Sequence, residues 1–215
     1  MSSLLSVVDH LVFAVPDMDE GCRLVTELLG ISPATGGRHP RWGTQNALLS
    51  LGPRVYLEVM GPDGTGADPS RPRPFGLDGT TRGKKPAPRL ASWAARAVDL
   101  ERAVEIARAE GLDLGEVRAG CRKRPDGTVL QWRMTDLAAP RESGIVPFFI
   151  DWGDTPHPAA AAPPGCTLEE LRLSAPDAAR VQRILARLGI HATVQDGASA
   201  VEAVIRTPRG RVTLR

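Results

Sequence analysis

Two titratable side chains stand inside apolar, strand-like runs, where solvent cannot satisfy them. His10 lies between Val8 and Leu11 in VVDHLVFAVPD, and Glu58 lies between Leu57 and Val59 in RVYLEVM. A polar group buried without a partner costs about 1–3 kcal/mol, so each needs one. An imidazole and a carboxylate on adjacent inward-facing strands supply two of the ligands that a divalent metal requires. They could equally form a structural pair, or the imidazole could be held by a backbone carbonyl.

A second constellation is the run RHPRWGTQN, Arg38 to Asn46. His39 offers a titratable base, Thr44 and Asn46 offer neutral hydrogen-bonding groups, and Arg38 could grip a carboxylate with two parallel N–H donors. Trp42 joins them as a candidate substrate contact, and Gly43 permits a tight turn or a close approach of the ligand. The competing reading is a turn between strands whose Thr and Asn satisfy backbone groups. Further on, Gln131, Trp132 and Arg133 alternate faces of a strand, so Trp132 and Arg133 cannot share one. Arg133 is a candidate anion anchor, and Trp152 and His157 in DWGDTPHP are placed to cover a cleft. No Ser-His-Asp order, phosphate-binding P-loop or dinucleotide GxGxxG follows a strand.

The elements that must position these groups recur. VVDHLVFAVPD (7–17) and TLEELRLSAPD (167–177) are apolar-rich runs closed by Pro-Asp, and the Asp is a good helix N-cap. Helical spacing follows each, and again after Asp99, with Gly30, Gly111 and Gly189 as stops. Three strand slots then follow each helix: 31–35, 44–51 and 55–60; 114–118, 128–136 and 145–152; 190–194, 200–206 and 211–215. Pro147 inside one of them predicts an edge strand or a bulge. The expected fold is α+β, with repeated βαβββ units at 5–61, 89–153 and 166–215 forming curved mixed sheets and helices on the outer face. A Pro/Gly-rich loop, 62–88, has the length of a functional cover or a disordered segment.

The stretches VDHLVFAVPD, GGRHPRWGTQNALLSLG and YLEVMGPDG resemble the glyoxalase-like domain of the vicinal-oxygen-chelate superfamily, which also holds glyoxalase I, extradiol dioxygenases and bleomycin-resistance proteins. LQWRM and PFFIDWG resemble the same family, and the third unit does so in architecture alone. The resemblance implies paired units that hold a divalent metal with His from the first strand and Glu from the fourth. His10 and Glu58 match those positions. In the second unit the slots fall on Ser92 and near Asp151, and in the third on Glu170 and Arg215. The implied metal set is His10, Glu58 and Asp151, completed by water or substrate. It further implies a metal-dependent isomerase or lyase acting on a small oxygenated molecule, with His39 or Glu58 moving the proton. The alternative is a non-catalytic protein that binds or sequesters a small molecule in the same cleft.

The 27 basic and 25 acidic side chains nearly cancel, which gives no footprint for nucleic acid or an anionic membrane. Basic clusters at Arg82, Lys84, Lys85 and Arg89, and at Arg118, Arg122, Lys123 and Arg124, read as solvated loops. Cys22, Cys121 and Cys166 have no pairing pattern, and no leader or membrane span is legible, so a cytoplasmic protein with free thiols is expected. An odd number of pairing units leaves one sheet edge open, which predicts a homodimer.

Overall fold

The computed structural model describes residues 4–65, 72–78, 85–123, 127–139 and 141–215. Arg82, Lys84 and Arg124 of the basic clusters, and parts of the 62–88 loop, lie outside these described residues.

A single helical turn, α1 (Leu4–Val7), leads into β1 (Val8–Ala14), α2 (Met18–Leu29), β2 (Ala34–His39), β3 (Thr44–Gly52) and β4 (Val55–Pro62). The next segment repeats the order as β5 (Arg89–Arg96), α3 (Leu100–Ala109), β6 (Arg118–Lys123), β7 (Val129–Met134) and β8 (Phe148–Asp151). The last is β9 (Thr167–Ala175), α4 (Ala178–Arg187), β10 (Val194–Asp196), β11 (Ala200–Thr207) and β12 (Gly210–Leu214). Each long helix starts as the Pro-Asp or Asp signals require. Asp17, Asp99 and Asp177 accept hydrogen bonds from the backbone N–H three residues on, at 3.0, 2.8 and 3.0 Å.

The first two segments share one eight-stranded sheet in the order β2-β3-β4-β1-β5-β8-β7-β6. Its centre is an antiparallel β1–β5 seam, flanked by the parallel pairs β1–β4 and β5–β8. The period-two pleat then sorts side chains. Leu11, Phe13, Leu57, Val59, Trp93 and Phe149 join α2 and α3 in the main core, while Val12, Ala14, Met60, Ala94, Phe148 and Ile150 form a separate cluster on the opposite, concave face. The sheet curls until its end strands face each other across Arg122 and Gly36–Gly37.

The last segment has the same element order but a different strand order, β10-β9-β11-β12. Its first strand pairs with the second and third, whereas β1 and β5 each pair with the fourth of their own segment. Leu168, Leu171, Leu173, Val201, Ala203 and Ile205 sit with α4 in the common core. Glu170 and Arg215 are spent on surface ion pairs with Arg172 and Glu202.

The second strand of every segment starts later than the apolar pattern predicts. After each glycine stop the chain first drops apolar side chains under the helix: Leu112, Leu114 and Ile190 are buried there without being strand. β8 likewise starts only at Phe148, after Pro147, and lies inside the sheet rather than at an edge. Pro147 caps its entrance, where a missing N–H costs no ladder bond. Among the described residues no helix is long and apolar enough to cross a membrane.

Candidate functional site

The concave face encloses a cavity of about 250 Å³ between the two halves of the large sheet. β1 and β4 present His10, Tyr56, Glu58 and Met60; the end of β2 presents His39, and β3 with the turn before it presents Trp42, Thr44 and Asn46. The other half gives Arg122, Trp132, Met134, Phe148, Ile150 and Trp152, and the loop between the halves contributes Phe75.

Glu58 is the centre of the polar part. Its Oε1 accepts a hydrogen bond from Asn46 Nδ2, and the Asn46 carbonyl in turn accepts from Gly37 N–H at 2.9 Å. Because Asn46 stands opposite Met60 in register, its side chain reaches Glu58 diagonally across the β3–β4 pair. His10 Nε2 lies 3.6 Å from Glu58 Oε2, and His39 Nε2 lies 3.9 Å from Oε1. Burial, reinforced by the Arg122 charge, pushes the His39 pKa below its ordinary value, although Glu58 pulls the other way. The neutral imidazole is therefore the favoured form near pH 7.

His10 is held from behind. A β-bulge at Asp9 breaks the alternation, since Val8 and His10 oppose the neighbouring residues Ala95 and Ala94. Asp9 is fully buried and accepts from His10 Nδ1 at 2.8 Å, His157 Nε2 at 3.1 Å and Trp152 Nε1 at 3.2 Å. Burial alone would raise the Asp9 pKa, but the hydrogen bonds and charges of His10 and His157 outweigh it and hold the carboxyl far below the ordinary range. Tyr56 stacks on His10 with ring centres 4.6 Å apart. Burial first, then the Glu58 and Asp9 charges, push its phenol well above its usual value.

Seven of the residues singled out in the sequence converge here: His10, His39, Trp42, Thr44, Asn46, Glu58 and Trp152. Three do not. Arg38 is exposed and lies opposite Gln45, while His39 beside it reaches the cavity. Arg133 alternates with Trp132, so it points outward to an ion pair with Glu101. Asp151 alternates with Ile150 in the same way, and its carboxylate accepts from Gly153 N–H at 2.9 Å. The segment after β8 does cover one end of the site: Ala159 and Ala162 pack on Leu48 and Tyr56.

Sequence reasoning passed over Asp9, Tyr56, Trp132 and Arg122. Arg122 had been read as part of a solvated basic loop, yet it is only 8 % exposed and lines the cavity. Its companions on the strand, Arg118 and Cys121, line the same wall. The available signal was the β6–β7 hairpin itself, which places Arg122 opposite Leu130.

A divalent metal fits these donors poorly. Asp151 faces away, and Ser92 in the matching slot of the second segment offers only a hydroxyl. His10 and His39 address opposite oxygens of Glu58, so the three groups do not converge on one point. Among the described residues no set of three or more His, Cys, Asp or Glu side chains is arranged to hold a metal ion. Buried atoms without a hydrogen-bond partner on residues of the cavity wall include His39 Nε2, Thr44 Oγ1, Arg118 Nε and Trp132 Nε1. Orphaned polar atoms lining one cavity are what a bound polar molecule would satisfy.

A family model described as a glyoxalase-like domain matches residues 8–189, most of the chain. The chain belongs to the glyoxalase-like domain family. That match runs through both halves of the large sheet and on into α4 of the last segment. A hypothetical protein from Staphylococcus aureus has a similar structure, with a TM-score of 0.61 at 12 % identity, over 96 % of this chain and 83 % of that one. At such identity the likeness concerns the fold alone. Methylmalonyl-CoA epimerase from Mycobacterium tuberculosis aligns over 70 % of this chain and 89 % of its own, at 21 % identity and a TM-score of 0.41. None of the curated proteins matches the chain.

Proposed function

We propose that this glyoxalase-like protein is an isomerase or lyase that moves a proton at a carbon flanked by oxygen in a small molecule. The observation that carries the reading is the His39–Glu58 pair, 3.9 Å apart in a cavity where Thr44 Oγ1 and Trp132 Nε1 are buried without hydrogen-bond partners. His39, neutral because of burial, takes the proton from the carbon, and the freed electron pair moves onto the adjacent substrate oxygen. Glu58, steadied by Asn46, stabilises the imidazolium that forms. The developing oxyanion lies against Thr44 Oγ1 and Trp132 Nε1, donors already fixed and desolvated. Return of the proton to a different carbon or face gives isomerisation; its delivery to a leaving group gives elimination. Metal dependence, expected from the family resemblance, is not part of this proposal, because the donor set does not converge.

The experiment is deuterium incorporation from solvent into a panel of small hydroxy- and oxo-compounds, followed by NMR. Exchange should occur with the natural protein and fall about 10²–10⁴-fold in His39→Gln and Glu58→Gln. Binding of the same compounds with no exchange in any of them would replace this reading by the ligand-sequestering one. The proposal also places the protein in the cytoplasm, with Cys22, Cys121 and Cys166 as free thiols. A homodimer through an open edge of the smaller sheet belongs to it as well, and a monomer by light scattering would remove that part.

A further inference from the structure

We infer that Arg122 is an anion anchor and that the ligand of this cavity carries a carboxylate. The inference rests on the cavity being the ligand site, and it names the class of ligand. Arg122 belongs to β6, one end of the eight-stranded sheet, and its side chain reaches the opposite end at β2. That crossing needs the glycine pair. A Cβ at Gly37 would lie 3.0 Å from both Cδ and Nη1 of Arg122, and one at Gly36 would lie 2.9 Å from Nη1. A side chain at either position would press on the guanidinium, so Gly36 and Gly37 leave it room beside Asn46.

Arg122 is 8 % exposed, and burying a guanidinium is costly unless anions and acceptors surround it. Its guanidinium lines the cavity and carries five N–H donors in a planar fork. The indole N–H of Trp132, on the adjacent strand of the same hairpin, is buried without an acceptor and lines the same cavity. A planar fork and an indole donor on one wall suit a carboxylate, which takes two parallel N–H bonds from an arginine. The acid–base pair, His39 and Glu58, stands on the other wall. A carboxylate held at Arg122 would therefore direct the neighbouring carbon of the ligand toward His39.

The test compares carboxylates with neutral analogues: lactate against lactamide, and pyruvate against methyl pyruvate. Affinity is measured by NMR titration, with the indole N–H resonance of Trp132 as the local reporter. The natural protein should favour each carboxylate by about tenfold or more, and Arg122→Gln should abolish that preference while leaving the neutral compounds unaffected. Arg122→Lys keeps the charge without the fork and should retain preference for the carboxylate at weaker affinity. Arg38→Gln, on the exposed side of β2, should behave as the natural protein does. If the Trp132 resonance responds but Arg122→Gln keeps the preference, the Arg122 inference falls and the cavity reading stands. If ligands bind without moving that resonance, the cavity reading itself falls. Neutral analogues binding better than carboxylates, or no carboxylate binding up to about 10 mM, would also overturn the inference.

Discussion

Replacing Asp9 by Asn tests whether a buried carboxylate organises the floor of the site. Asp9 has no exposed surface and receives three donors on its two oxygens. The His157 tautomer is fixed from its other side, since Nδ1 accepts from Ala159 N–H at 3.3 Å, leaving Nε2–H to face Asp9. An amide nitrogen in place of either oxygen would meet an N–H donor head-on. A hydrogen bond to a charged group contributes about 1.5–3 kcal/mol, and at least one such bond turns repulsive while the others lose their charge. The expected loss is about 3 kcal/mol. For a chain of this size each kcal/mol moves Tm by roughly 2–4 °C, so Tm should drop by about 6–12 °C. The sign of the pH dependence follows from the depressed carboxyl. Burial opposes the charged form but the two histidines prevail, so the folded pKa lies below the ordinary value of 3.8. That stabilisation is fully present above the ordinary value and is lost as pH falls toward the folded one. The Tm gap between the two proteins should therefore narrow between about pH 5 and pH 3. Melting curves by circular dichroism across that range decide it. A variant within about 2 °C of the natural protein at pH 7, or a gap that stays constant on acidification, would refute the reasoning.

Three other outcomes are expected. Gly36→Ala would drive a methyl group into Asn46 Oδ1, pulling Asn46 off Glu58, so proton exchange should fall at least tenfold while stability drops by only about 1–3 kcal/mol. Because burial and Arg122 both lower the His39 pKa, the acid limb of the exchange rate should have its midpoint below the ordinary value of 6.5. The Arg122→Gln variant should move that midpoint upward and Glu58→Gln downward, as read from a pH–rate profile. Metal analysis of the purified protein should find less than one equivalent per chain, and chelator should leave Tm unchanged; one tightly held ion released by His10→Ala would contradict the donor geometry described above.

The parts of the site that the sequence made legible are those set by local pattern. His10 and Glu58 were visible as polar residues in apolar runs, and the Asp caps and glycine stops bounded the helices around them. Asp151, Arg133 and Arg38 failed for one shared reason. Each is adjacent in a strand to a residue that does line the cavity, and a one-residue error of register sends a side chain to the other face. Bulges decide such registers. The one at Asp9 lets two consecutive residues serve one network, which alternation alone would forbid. Arg122 was illegible for a different reason. Its burial depends on β6 meeting β2, elements far apart in the chain whose approach is set by the curl of the whole sheet, and the β6–β7 hairpin announces only which face Arg122 takes.

The same long-range contact bears on why a metal set is incomplete here. A guanidinium and a divalent ion in one small cavity carry charges of the same sign. At a separation of roughly 6 Å and an effective dielectric constant near 20, their repulsion is about 5 kcal/mol. That would weaken a metal site by more than a thousandfold unless further anionic ligands offset it. Among the described residues lining the cavity the carboxylates are Glu58 and Asp136; Asp136 accepts from Ala138 N–H at 2.9 Å, and the second segment turns Asp151 outward. A fixed cation on β6 and a resident metal on β1 and β4 are thus alternative ways to hold a negatively charged oxygen in this fold. The glycine pair opposite Arg122 leaves room for the first, since a Cβ at Gly37 would lie 3.0 Å from Arg122 Cδ and one at Gly36 2.9 Å from its Nη1. Arg122→Gln should then be the variant in which His10 and Glu58 first bind a divalent ion measurably, and a titration with zinc that shows no gain over the natural protein would break the link between the two.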